Sequence, residues 1–340
     1  MTKITLDLDK LVNDGALTQA EAERLTDLGE PSGRMGVLIN VLLIIGAIAV
    51  AAGVIALEPS ATTGLLLALL ALGGGGALFF IDKPEWRVLS HGLVIMGCLG
   101  LCGWIGWQAA ESWENVAPLI IHLSIFAIVT AGAVVFRQAF LAALSPLALG
   151  AILGSGTAYW HASYGLFVRE PTLTILVFSV VGAGLFWVRD KVETQWRLVT
   201  TVAARVSFFM LNFAFWVGSL WGDHVGELWT EDMDWQERDA WRDTAVQIPE
   251  AAFSLGWLLM LGLCIWWGTR DNRRFLANTA ITFLAIHFYT QLFETLGAEP
   301  TVLILCGLTM VGAAVGITRF DQWLQGVHAE KDKLATAQEK

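Results

Sequence analysis

Residues 36–57 read GVLINVLLIIGAIAVAAGVIAL. These 22 residues include no charged side chain, and Asn40 is their one strongly polar group. About 20 residues of α-helix rise roughly 30 Å, the thickness of the hydrocarbon core of a bilayer. The stretch therefore predicts a membrane-spanning helix.

Nine further apolar stretches follow, at 62–81, 88–109, 116–136, 139–160, 171–188, 198–221, 247–268, 275–294 and 300–319. Only Arg137 and Gln138 part the fourth from the fifth. Two helices are preferred there, because a single one would be about twice the bilayer in length. Pro146 predicts a kink in the fifth. The expected fold class is an all-α polytopic membrane protein, with ten transmembrane helices over 36–320. Composition agrees: 55% of the 340 residues are hydrophobic and only 15% are charged, where a soluble domain carries roughly 25%.

Lysine and arginine set the direction. With the N-terminus inside, 17 of the 21 basic residues fall in inner segments, from Lys3 and Lys10 to Lys340. Three fall in outer loops (Arg169, Arg238 and Arg242), and Arg205 lies within a helix. This is the positive-inside bias. It predicts a multi-pass protein of the bacterial inner membrane with both termini cytoplasmic. Tryptophans mark the same boundaries. Trp86, Trp187, Trp196, Trp266, Trp267 and Trp323 fall at the inner one, and Trp107, Trp113, Trp160 and Trp221 at the outer one. Indoles favour the headgroup level, so they read as an aromatic belt.

Residues 1–35 are polar, with no basic-then-apolar leader, so no cleavable signal peptide is expected. They read as a cytoplasmic module of two short helices. Gly15 sits where a left-handed residue ends the first, and Thr18 with Glu21 forms a capping box for the second. So few residues cannot bury a core of their own. Residues 321–340 are a charged cytoplasmic tail. The net charge is −10, with no basic stripe, so nucleic acid is not expected as a partner.

The longest outer loop, 222–246, reads GDHVGELWTEDMDWQERDAWRDTAV. Eight carboxylates face two arginines. It is expected to be a solvated segment leaning on the outer leaflet through its indoles. The sharper reading is a docking surface for an extracytoplasmic partner, built on Trp229, Asp232, Asp234, Trp235 and Trp241. Asp232 and Asp234 do not make a calcium loop, for the turn glycine and the terminal glutamate are missing.

No Walker A loop, nucleophile elbow or HExxH motif occurs. The run Gly73–Gly76 lies inside a helix and is read as close helix packing, as are the pairs Gly150/Gly154 and Gly312/Gly316. Cys98, Cys102, Cys264 and Cys306 all lie in apolar stretches and are read as buried thiols.

Polar groups at membrane depth are the functional candidates. Arg205 either snorkels to the interface or holds an anion or carboxylate. His122 and His287 fall at similar outer depth on two helices, so they are candidates for a metal or a b-type haem, although no cofactor is expected. Asn212, Asn278, His287, Tyr289, Gln291 and Glu294, with Asn40, complete the set. The ninth helix is the most polar of the ten, and a substrate path would lie along it. The plainer reading of these groups is hydrogen bonding between helices.

Three segments together resemble one family. They are LVNDGALTQAEAERL at 11–25, the span 36–57, and the stretch from RRFLANTAITFLAIHFYTQLFETLG at 273–297 to LILCGLTMVGAAVG at 303–316. In these the chain resembles the bacterial membrane proteins grouped as domain of unknown function 2157. The resemblance implies an inner-membrane protein of unknown activity, and it brings no catalytic residues.

The sequence thus points to a non-enzymatic integral protein that docks an extracytoplasmic or membrane partner. One alternative is a secondary transporter of a small solute, its ten helices split five plus five as inverted repeats. Another is a membrane haem protein using His122 and His287.

Overall fold

A computed structural model describes residues 8–13, 17–28, 34–113, 116–160, 163–230 and 233–297, and all of 299–319 except 303, 306, 310, 313, 314 and 317. It is 84% helical, with two small two-stranded antiparallel sheets. The chain divides into two compact units, Met1–Ser145 and Pro146–Lys340.

The first unit holds α1 (Leu8–Asn13), α2 (Gln19–Leu28), α3 (Arg34–Leu57), α4 (Ala61–Ile81), α5 (Arg87–Glu111), α6 (Pro118–Val135) and the start of α7 (Ala139–Ile152). The capping box of α2 is formed. Glu21 Oε2 accepts from the Thr18 amide at 2.9 Å and from its hydroxyl at 2.7 Å, and these bonds hold the carboxyl below its ordinary range. Gly15 lies outside the described residues. Asn40 is buried and joins α3 to the start of α5. Its amide donates to Glu85 O at 2.7 Å, and its oxygen accepts from the Leu89 amide at 3.2 Å.

Small residues bring α4 and α5 together. A Cβ on Gly75 would lie 2.7 Å from Val94 N, and one on Gly97 would lie 2.6 Å from Leu72 N. Ser90 also donates to Gly75 O at 2.8 Å. Close packing is thus the role of Gly75, though Gly73 and Gly74 meet nothing within 4 Å. Gly97→Ala is expected to cost about 1–3 kcal/mol, because backbone rather than a side-chain tip must give way. Gly103→Ala, on the same helix in open space, is the control. Melting of the full chain in detergent reads the difference, and equal melting of the two variants would remove the close-contact reading.

The second unit holds the rest of α7, β1 (Ser155–Trp160), β2 (Ser163–Val168), α8 (Pro171–Arg189), α9 (Thr194–Trp221), β3 (Asp223–His224), α10 (Trp235–Thr244), β4 (Gln247–Ile248), α11 (Glu250–Arg270) and α12 (Arg274–Leu296). Short turns join α8 to α9 and α11 to α12, so each pair is antiparallel. One end of the unit carries these turns, 190–193 and 271–273. The other carries 222–249 and is called the cap end below. Phe178, Phe208, Trp257, Leu261, Ala280 and Phe283 form the core between the helices.

Among the described residues, seven helices are long and apolar enough to cross a membrane. They match seven of the ten expected stretches. The fifth differs. It is a 14-residue helix followed by the β1–β2 hairpin, rather than a helix over 139–160. Gly154 sits at φ +74°, where glycine ends a helix. So this glycine stops α7 rather than packing it, and α7 rises only about 21 Å. The ninth, α12, has 23 residues, but Asn278, His287 and Gln291 lower its hydropathy and it is not among the seven. Of the tenth, Pro300–Thr309 is a shorter apolar helix.

Candidate functional site

Two polar assemblies in the second unit hold candidate residues. The first is a seam through its core. Asn212 of α9 is fully buried. Its amide donates to Phe208 O at 2.7 Å, one turn back, and its oxygen accepts from Trp257 Nε1 of α11 at 3.0 Å. The Trp257 ring meets the His287 ring of α12 edge-on, with centroids 4.9 Å apart. Nearby, Trp216 Nε1 donates to Thr290 Oγ1 at 3.1 Å, and that hydroxyl donates to Ile286 O at 2.9 Å. Each polar group of Asn212 is satisfied, so the seam works as glue between three helices.

The other candidates of the ninth stretch are not drawn into the seam. Asn278 and Glu294 are exposed, Gln291 is half-buried, and Tyr289 packs on Phe293 with centroids 4.6 Å apart. His122, in the first unit, bonds through Nδ1 with Pro118 O at 2.8 Å on its own helix. His287, in the second unit, is buried, and its Nδ1 has no partner. Among the described residues no group of three or more His, Cys, Asp or Glu could hold a metal. Cys98, Cys102 and Cys264 are free thiols, and Cys306 lies outside the described residues.

The second assembly is the cap, and here the loop 222–246 is folded rather than merely solvated. Asp223–His224 pairs with Gln247–Ile248 and closes its base. Glu227–Thr230 makes a 3-10 turn. Asp234 starts α10 with a full capping box, bonding reciprocally with Glu237. Arg242 pairs with Glu227 at 2.8 Å, and Arg238 donates to Thr230 O at 3.0 Å. Trp229 and Trp235 are left exposed, at 76% and 72%. Trp241 turns inward, and a Cβ on Gly226 would lie 3.3 Å from its ring. Asp232 lies outside the described residues.

Two buried carboxylates tie the cap to α8. Glu170, only 3% exposed, accepts through one oxygen from the amides of Gly226 at 2.7 Å and Leu228 at 3.0 Å. Burial pushes its pKa up, and the carboxylates of Asp223 and Glu227 add to this, against the two amides. Asp223, 2% exposed, accepts from the Thr172 amide at 2.9 Å in the first turn of α8. Beside them lies a cavity of about 500 Å³, with Arg169, Asp223, His224, Glu227 and Arg242 around an apolar wall that includes Trp221. Sequence reading missed Glu170, whose bonding partners lie 56 and 58 residues on.

Arg205 stands apart from both. It lies at the turn end, with its guanidinium over the Phe275 ring at 4.5 Å. The chain matches no family model, no curated protein and no solved structure.

Proposed function

We propose that this is a non-enzymatic integral protein of the bacterial inner membrane, with both termini cytoplasmic. Its working surface is then the extracytoplasmic cap, which docks a partner. The seven apolar helices and the charge bias support the membrane placement. In this arrangement α7 alone makes the fifth passage, and the β1–β2 hairpin extends from its end and returns the chain beside Gly154. The likeness to the family of domain of unknown function 2157 belongs to the same proposal and adds no activity to it.

The double bond set of Glu170 carries the docking reading. A loop meant only to be solvated needs no buried carboxylate to hold it. Here one fixes the backbone at 226–228, the cap leaves Trp229 and Trp235 exposed, and a cavity ringed by charges of both signs lies at its base. Exposed aromatic side chains on a fixed backbone are typical anchors of an interface.

Orientation is tested with Asp239→Cys, on an exposed face of α10. A membrane-impermeant maleimide should label it in intact cells, and labelling only after permeabilisation would reverse the topology. For docking, Trp229→Ala with Trp235→Ala should lose a partner that the wild-type protein retains from the extracytoplasmic side. Identical recovery by both would dispose of the docking surface.

A further inference from the structure

The opposite end of the second unit collects positive charge where a helix already supplies it. α12 begins with Arg273 as its N-cap residue and Arg274 as its first helical residue, and no side chain caps it. The first amides of a helix have no carbonyl to bond and carry the positive end of its dipole. Carboxylates belong there, and arginines oppose it. Yet two more arginines converge on the same place: Arg189 from the end of α8, and Arg205 from within α9. All four line one cavity of about 480 Å³, together with Trp267 and Phe275.

Carboxylates account for only two of the four. Asp190 lies 3.1 Å from Arg189 and 3.6 Å from Arg273, and Asp271 lies 4.0 Å from Arg273. Asp271 also accepts from Trp267 Nε1 at 2.5 Å. Among the described residues no carboxylate lies within 4 Å of the guanidinium of Arg205 or Arg274. Arg205 instead rests on the Phe275 ring. Four guanidiniums and two carboxylates leave two positive charges facing an uncapped helix start.

The surroundings say what kind of anion suits. Arg270 lies over Trp266 at 5.4 Å, Arg273 over Trp267 at 5.1 Å, and Lys191 over Trp187 at 3.3 Å. A band of indoles with cations at their faces is the chemistry of the headgroup level. Apolar surface stands open beside it, with Leu198 62% and Trp266 59% exposed. These surroundings suit an anion that comes with an apolar tail.

We propose that this cavity binds the phosphate of an anionic phospholipid, clasped by Arg205 and Arg274 at the start of α12. Asp190 and Asp271 hold Arg189 and Arg273 as its walls. The phosphate supplies the negative charge that the helix start lacks, and the acyl chains lie along the exposed apolar faces. Free inorganic phosphate offers the same oxygens without the tail. This site and the cap lie at opposite ends of the unit, so loss of docking at the cap leaves it standing.

Native mass spectrometry of the full chain in detergent tests the site, with phosphatidylglycerol or phosphatidylcholine added. Wild-type protein should retain one phosphatidylglycerol in preference to phosphatidylcholine. Arg205→Gln with Arg274→Gln should weaken that retention by about 10- to 30-fold, as expected for two arginines acting near a membrane surface. Its melting in phosphatidylcholine alone should not change. Equal retention of the two lipids by wild-type protein overturns the proposal even where the double variant fails to fold. So does unchanged retention by a folded double variant. Displacement of the lipid by millimolar inorganic phosphate would assign the site to the free ion and overturn the lipid.

Discussion

Trp257→Ala is expected to destabilise the second unit by about 3–5 kcal/mol. Trp257 is fully buried at the centre of the core, against Phe283 at 6.3 Å and His287 at 4.9 Å between centroids. In a bilayer little of this cost comes from water, since lipid tails are as apolar as leucine. It comes from contacts forfeited around the cavity left behind. The indole N–H adds a separable part. Trp257→Phe keeps most of the ring but strands the oxygen of Asn212, for about 1 kcal/mol. Placing Trp257→Phe on an Asn212→Leu background removes the stranded oxygen, so the two changes together should cost less than their sum. Unfolding of the full chain in detergent, followed by helical circular dichroism, measures each. If Trp257→Phe costs as much as Trp257→Ala, the hydrogen bond and not the packing holds the seam.

The sequence made the long apolar helices legible, because length and hydropathy are local properties. The capping box of Thr18 and Glu21 and the packing of Gly75 were legible for the same reason. The fifth passage was not. A hydropathy window over 139–160 averages over Gly154 among its apolar neighbours and does not register that this glycine takes a left-handed conformation. Nor could the sites be read whole. Arg205 stood out as a charge within a helix, but its neighbours Arg189 and Arg274 looked like ordinary positive-inside residues. What gathers them is the packing of α8, α9 and α12. Asn212 and His287 were both candidates, and the group that joins them is Trp257, which the aromatic-belt reading did not single out.

Glu170 tests the cap most directly. Glu170→Ala removes the one acceptor shared by the Gly226 and Leu228 amides. Two bonds to a charged group go, and two amides are left to find water, at about 2–4 kcal/mol. The loss should be local. Hydrogen exchange at 222–230 should speed up by two orders of magnitude or so, while α9 and α11 stay protected. Glu170→Gln keeps the accepting oxygen and should hold the cap almost as well.

The pH dependence follows from the direction of the shift. Burial raises the Glu170 pKa above its ordinary 4.5, so the folded cap takes up the proton more readily than the opened one. The stabilisation this gives is complete below the ordinary value, and it is lost as pH rises through the raised one. Exchange of the Gly226 and Leu228 amides, corrected for intrinsic chemistry, should therefore slow on acidification across that window. In Glu170→Gln, which cannot ionise, the dependence should flatten. A cap that loosens on acidification would mean that the charged carboxylate is the form that holds it, with its two backbone bonds outweighing burial.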